Sequence, residues 1–384
     1  MKLTNGNQVT LLRNGTEYFP ALEQAIDSSS TEIQLQCYIF EADSAGIRIA
    51  NALKRAAQRK VDVCVLLDGF GCKDTPKEFL DDMRQSAVKV LIYRPKISPW
   101  TFKRHRLRRL HSKISVMDGT TAFVGGINIV DDMNAPSLVP PRVDYAVKVQ
   151  GPLVAHIHHR VRHLWRWMTW LSWHLHPPMS ALPPPAPVAG HAQAAFVFRD
   201  NALHRKDIEA AYLEAIKNAK SEIIIANAYF LPGVRFRHAL SNASKRGVRV
   251  VLLLQAQVEF WLLNQASKAL YASFLQDGIE IHEYQKSHMH SKVAVIDAQW
   301  ATVGSSNIDP FSLMLAHEAN VVVKDAVFAL LLRNDLETAL QFRSRQLVPA
   351  SWKRKGLPSR AMAWIGYGMV RLLMGMVGID ERNP

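Results

Sequence analysis

The feature that most constrains this chain is a duplication. His111-Ser-Lys113-Ile-Ser-Val-Met-Asp118 and His290-Ser-Lys292-Val-Ala-Val-Ile-Asp297 share the pattern H-x-K-x-x-x-x-D. An asparagine follows 17 residues after each histidine, Asn128 after Ala122-Phe-Val-Gly-Gly-Ile and Asn307 after Val303-Gly-Ser-Ser. The upstream segments repeat in the same order. Glu32-Ile-Gln-Leu-Gln-Cys-Tyr38 matches Glu222-Ile-Ile-Ile-Ala-Asn-Ala-Tyr229, and Val61-Asp-Val-Cys-Val-Leu-Leu67 matches Val248-Arg-Val-Val-Leu-Leu-Leu254. Offsets of 190, 187 and 179 residues at Glu222, Val248 and His290 make each copy about half of the 384-residue chain. Apolar, β-branched runs alternate with helical stretches, such as the one expected from Ser44 to Gln58. Runs apolar throughout suit strands covered on both faces, which argues for two α/β domains.

Each motif opens a predicted strand, so its histidine and lysine, two apart, project to one face. An ammonium beside an imidazole suits a phosphate: the lysine supplies fixed charge, and the histidine can attack phosphorus or carry a proton. The paired motifs resemble the HKD signature of the phospholipase D superfamily. The run Trp300-Ala-Thr-Val-Gly-Ser-Ser-Asn-Ile-Asp-Pro310 with Glu318-Ala-Asn-Val resembles bacterial cardiolipin synthases, most closely the short type without N-terminal membrane helices. The resemblance covers residues 7–345. It implies two duplicated α/β domains packed as a pseudo-dimer with both motifs at one site, a C-terminal amphipathic helical tail being added outside the repeat. The expected division is 1–160 for the first domain, 161–192 for a Trp-rich helix and Pro-rich linker, 193–350 for the second domain and 351–384 for the tail.

The chemistry implied is exchange at a phosphodiester through a phosphohistidine. One histidine attacks while the other protonates the leaving oxygen and then deprotonates the incoming alcohol. By the resemblance His111 is the nucleophile and His290 the acid/base, although the near symmetry of the repeat leaves the reverse open. Each imidazole needs an acceptor on its far nitrogen. Asp144 and Glu318, on the strand after each motif and 33 and 28 residues beyond its histidine, are the parallel candidates. Lys113, Lys292, Asn128 and Asn307 would hold the non-bridging oxygens. Asp118 and Asp297 complete the signature and look structural in the family. The motifs hold no carboxylate cluster suited to Mg²⁺, so neither metal nor cofactor is expected.

A net charge of +14 favours acidic partners, anionic lipid or nucleic acid. Three cysteines, Cys37, Cys64 and Cys72, have no metal spacing and point to a reducing compartment. There is no apolar signal region and no run of 18 uncharged apolar residues, so no ordinary spanning helix is expected. Trp167, Trp170 and Trp173 recur at helical spacing next to Trp165, and Pro177-Pro178 and Pro183-Pro-Pro185 follow as a stiff linker. That stripe suits either interdomain packing or an interfacial anchor. Lys103 to Arg109 could be a solvated face or receive anionic headgroups. The tail carries Lys353-Arg-Lys355, Arg360, Trp364, Tyr367, Arg371 and Leu372, the composition of a helix lying in a membrane interface or docked on the core.

Phosphatidyl transfer between two phosphatidylglycerols, giving cardiolipin and glycerol, is the expected activity. The competitors are a phospholipase or a transferase using another alcohol, and a nuclease of the superfamily. Anionic phospholipid at a bacterial membrane surface, reached peripherally from the cytoplasmic side, is the expected partner, and nucleic acid is not. Nothing in the sequence sets the oligomeric state.

Overall fold

The computed structural model describes residues 1–95, 108–135, 139–171, 183–257, 261–310, 312, 315–348 and 357–376. The first half runs β1 (Thr4–Arg13), α1 (Asn14–Asp27), β2 (Glu32–Cys37), α2 (Ser44–Gln58), β3 (Asp62–Asp68), α3 (Lys77–Gln85) and β4 (Lys89–Tyr93). It continues through β5 (Lys113–Met117), β6 (Thr121–Gly125), β7 (Arg142–Val143), β8 (Tyr145–Gln150) and α4 (Leu153–Leu171). The second half repeats the plan with β9 (Ala192–Arg199), α5 (Asp207–Asn218), β10 (Glu222–Asn227), α6 (Val234–Lys245), β11 (Arg249–Gln255) and α7 (Trp261–Gln276). Then come β12 (Glu280–Tyr284), β13 (His288–Met289), β14 (Lys292–Ile296), β15 (Trp300–Gly304), β16 (Glu318–Lys324), α8 (Ala326–Arg343), β17 (Ser344–Gln346) and α9 (Leu357–Met376).

The strand order is a near mirror image about the junction of the halves. Reading outward from it, the first half runs β1-β8-β6-β5-β2-β3-β4 and the second β9-β16-β15-β14-β10-β11-β12-β17. β1 pairs antiparallel with β9, so the hydrogen-bonded sheet is continuous across the junction. Each half also turns one sheet face towards the other. Ile114, Val124 and Val147 share a core with Val293, Val303 and Val321, whereas Ile33 and Leu35, like Ile223 and Ile225, pack beneath their own half's helices. The alternation along each strand therefore divides the apolar side chains between an inner and an outer core. Burial of this kind makes a truncation such as Val293→Ala cost about 1–3 kcal/mol. Local signals set the helix starts. Asp43 caps α2 by accepting from Gly46 N at 3.1 Å, and Asp325 caps α8 by accepting from Phe328 N at 2.8 Å.

The strands and helices expected from hydrophobic periodicity are present, α2 with the expected ends. α4 runs through the boundary expected at residue 160, because its apolar face covers the inner side of the first sheet. Trp165 is buried there against Leu66, Leu91 and Met168. Trp167 and Trp170 are 44% and 76% exposed, so the tryptophans divide between core and surface. Trp173, Pro177-Pro178, most of the basic run (103–107), and Lys353, Arg354 and Lys355 lie outside the described residues. In the tail, α9 buries Ala363, Val370 and Met374, and its Gly366 lies against Gln265 of α7. Its other face leaves Trp364, Ile365, Met369 and Leu372 exposed, and Trp261 at the start of α7 is exposed as well. Among the described residues no helix is long and apolar enough to cross a membrane.

Candidate active site

His111 and His290 stand just before β5 and β14, and each is anchored by the opposite half. The backbone N–H of His111 donates to His317 O at 3.0 Å, and that of His290 to Val143 O at 2.8 Å. The side chains cross over in the same way. His111 Nδ1 lies 2.9 Å from Glu318 Oε1, and His290 Nδ1 lies 2.7 Å from Asp144 Oδ2. Asp144 and Glu318 are therefore the carboxylates in contact with the imidazoles, but each meets the histidine of the other repeat. An Nδ1–H donated to a carboxylate leaves the Nε2 lone pair available. Lys292 Nζ is also 2.8 Å from His290 Nδ1. One ring nitrogen cannot both donate to Asp144 and accept from an ammonium. The match with His111–Glu318 favours donation to Asp144, with Lys292 donating to His290 O and lying 3.5 Å from Asp144 Oδ2.

The lysines are enclosed with the histidines. Lys113 and Lys292 are 3% and 0% exposed, so their charge acts where water screens it little. Lys113 Nζ donates to His111 O at 2.7 Å and lies 5.2 Å over the Tyr38 ring. Burial pushes Lys113 down to about 8 and lowers Lys292 as well, against the pull of Glu318 and Asp144. Burial also lowers His111, with Glu318 pulling the other way. It puts His290 well below its usual value, reinforced by Lys292, His288, Lys113 and Arg142. Asp144 is pushed up to about 6 by burial, with Lys292 opposing. Both imidazoles are thus neutral near pH 7, the state a nucleophile requires. The four motif side chains and two carboxylates influence one another's charge from both halves, which makes them one site.

Asn128 and Asn307 lie on the loops after β6 and β15. Asn128 Oδ1 accepts from Ile39 N at 3.2 Å, leaving its amide N–H groups as the donor end, while Asn307 Oδ1 is buried without a hydrogen bond. Asp118 and Asp297 are not brought to this site. They sit beyond the far ends of β5 and β14 and close the loops before β2 and β10. Asp118 accepts from Ser30 N, Thr31 N and Glu32 N, each at 2.9 Å, and Asp297 from Lys220 N and Ser221 N at 2.8 Å and Glu222 N at 2.9 Å. Those hydrogen bonds hold both carboxyls below their ordinary value against the effect of burial.

Sequence reading missed several neighbours. Tyr38 packs edge-on against His111 at 4.7 Å between centroids, and His288 packs likewise against His290 at 5.8 Å. Ser305 Oγ donates to Glu318 Oε2, and Gly126 occupies the equivalent place in the first repeat. A Cβ at Gly126 would lie 2.3 Å from Asp144 Oδ1. The Gly-Gly against Gly-Ser difference between the motifs was the visible signal, but it needed the carboxylate's position to be read. The offset of 190 residues between Glu32 and Glu222 holds to the end of the strand. Phe40 bridges to Ile129 and Phe230 to Ile308, so Tyr38 corresponds to Ala228 and not to Tyr229. The second strand carries one more residue before its tyrosine.

Two activated imidazoles, two buried ammonium groups and two orienting carboxylates can bind a phosphodiester, form an N–P bond and move a proton on the other side. Comparison with known proteins agrees. Cardiolipin synthase B of Salmonella typhimurium is 40% identical over 342 residues, covering 86% of this chain and 80% of that protein. Cardiolipin synthase B of Escherichia coli K12 is 38% identical over 338 residues, with the same coverage, 86% and 80%. A crystal structure of phosphatidylserine synthase from Haemophilus influenzae superposes with a TM-score of 0.69 at 13% identity, covering 97% of this chain and 95% of that one, which shows a shared fold. The family model described as "Cardiolipin synthase, PLD-like domain" matches residues 22–160 and 212–340, the two repeats, and the chain belongs to that family.

Proposed function

We propose that the protein is a phosphatidyltransferase that makes cardiolipin and glycerol from two molecules of phosphatidylglycerol. The observation carrying this reading is the pair of crossed dyads, His111–Glu318 and His290–Asp144, around two buried lysines. His111 Nε2 attacks phosphorus, the bond to the glycerol headgroup oxygen breaks, and His290 gives that oxygen a proton. The hydroxyl of the second lipid then returns a proton to His290 as its oxygen attacks, and the N–P bond breaks. His290 must hold a proton in the first step although burial, and after it the surrounding cations, depress its affinity. The bound phosphodiester anion offsets those cations, so proton uptake accompanies substrate binding. Lys113 and Lys292, with the amides of Asn128 and Asn307, stabilise the charge that grows on the non-bridging oxygens.

The lipid is reached peripherally, on the cytoplasmic face. Support comes from the outer face of α9, where Trp364, Ile365, Met369 and Leu372 are exposed, and from the net charge of +14. Mass spectrometry after incubating the purified protein with phosphatidylglycerol vesicles tests the assignment. Cardiolipin with free glycerol supports it. Phosphatidic acid alone identifies a phospholipase, and cleavage of DNA without lipid product identifies a nuclease.

A further inference from the structure

The halves agree at histidine, lysine and carboxylate but diverge just behind the histidines. Two residues before the histidine stands Arg109 in one half and His288 in the other, and two before the carboxylate stand Arg142 and Ala316. Arg109 lies 4.8 Å over the Phe70 ring. Behind these, Asp68 and Gln255 hold the backbone in equivalent ways. Asp68 Oδ2 accepts from Leu110 N at 2.7 Å, and Gln255 Oε1 accepts from Met289 N at 2.9 Å. The first half thus places a buried carboxylate behind His111 where the second has a neutral amide behind His290, and the flank of His290 also receives, from the first half, the guanidinium of Arg142.

Arg142 and His288 are direct partners in the parallel pair of β7 and β13. Partners in a parallel pair project to one face, and so do residues two apart along a strand. That face therefore carries Arg142 and His288, with Asp144 and His290 one step further on. His288 is 5% exposed, yet its Nδ1 has no hydrogen-bond partner, and the buried Nε of Arg142 has none either. Glu41 and Asp132 feel the charge of Arg142, but among the described residues no carboxylate forms an ion pair with it. Buried donors are rarely left unspent, and these two adjoin the proposed acid/base imidazole.

We infer that Arg142 and His288 form a second anion subsite, which takes the phosphodiester of the acceptor phosphatidylglycerol while its glycerol hydroxyl lies at His290. This rests on the proposed transferase reading. The donor phosphorus sits between the two motif histidines, and a three-carbon glycerol bridge separates it from the acceptor's own phosphate in the product. His288 packs one ring away from His290, a step of that size. A guanidinium and an imidazole N–H match phosphate oxygens geometrically, and the guanidinium adds charge. The subsite also explains why the site is lopsided although its dyads are symmetric: the donor needs both motifs, whereas the acceptor needs only the flank of the general base.

The test compares acceptors on one donor lipid. The full-length protein is given phosphatidylglycerol with either glycerol phosphate or an uncharged primary alcohol as soluble acceptor, and products are resolved by mass spectrometry. Wild type should favour glycerol phosphate by about tenfold or more, the size of a hydrogen bond to a charged group. Arg142→Gln should remove most of that preference, Arg142→Lys should restore part of it, and His288→Gln should reduce it. The ratio is internal to each preparation, so a variant with less folded protein still reports. Equal use of the two acceptors by wild type, or parallel losses on both in Arg142→Gln, would overturn the subsite. Failure of the transferase reading looks different: wild type would release only phosphatidic acid, with neither acceptor incorporated.

Discussion

The two histidines play similar parts in different surroundings. His111 is held by a glutamate that also accepts from Ser305, packs against the edge of Tyr38 and has a lysine over that ring. His290 is held by a shorter aspartate pressed against Gly126, packs against His288 and is surrounded by more cations. A duplicated motif thus yields unequal imidazoles. The longer carboxylate goes with the residue that has a side chain to meet it, and the shorter with the glycine. In a two-step transfer only one histidine needs to form a bond to phosphorus, and only the other needs to exchange protons with two alcohols. The difference in surroundings is where that division of labour can reside.

The largest effects are expected at the histidines themselves. His111→Ala and His290→Ala should each lower transfer by at least about 10³-fold, since neither half can replace the other. A phosphoenzyme, stable to base and labile to acid, should accumulate in His290→Ala and not in His111→Ala. The opposite labelling pattern would reverse the roles. Lys113→Ala and Lys292→Ala should follow with losses of about 10²–10³-fold in kcat, the cost of removing a donor to the developing charge. A loss confined to KM would show that the lysines bind without stabilising the transition state.

The supports of the imidazoles should matter less. Glu318→Gln and Asp144→Asn should each cost about 10–100-fold through a misplaced tautomer. Gly126→Ser should cost more than Ser305→Gly, because its Cβ would meet Asp144 Oδ1 at 2.3 Å whereas Glu318 merely loses one donor. Equal effects would mean that the glycine is not there to make room for the carboxylate.

Lys113 should set the alkaline limit. With burial lowering it to about 8, kcat/KM should fall above that pH as its charge is lost. A profile flat to pH 10 would remove Lys113 as a charge stabiliser. The smallest effect concerns stability in acid. Buried His288 and half-buried His317, pushed to about 4 and about 3 by desolvation, are neutral in the folded protein but titrate near 6.5 when unfolded. The unfolded chain takes up protons first, so Tm should decline as pH falls from about 6.5 towards 4. His317→Gln should flatten that decline, and an unchanged slope would assign it to other groups.

Many of the residues that the fold brings together at the candidate site were legible in the sequence. His111, Lys113, His290 and Lys292 follow from two motifs at strand starts, where residues two apart share a face. Asp144 and Glu318 follow from needing an acceptor on the next strand. The tryptophans and the tail were harder, because composition does not say which face of a helix is covered. Trp165 is in the core and Trp170 in solvent, and α9 has one face on α7 and the other uncovered.

The duplicated α/β plan and the residue types of the site are written in the order of the amino acids, because strand periodicity and motif spacing are local properties. That Glu318 serves His111 and Asp144 serves His290 is a matter of tertiary structure. The crossing depends on how the two inner sheet faces meet, which joins residues 207 and 146 positions apart. Tertiary structure likewise sets Arg142 and His288 side by side, in a two-stranded pairing between halves that neither repeat could form alone.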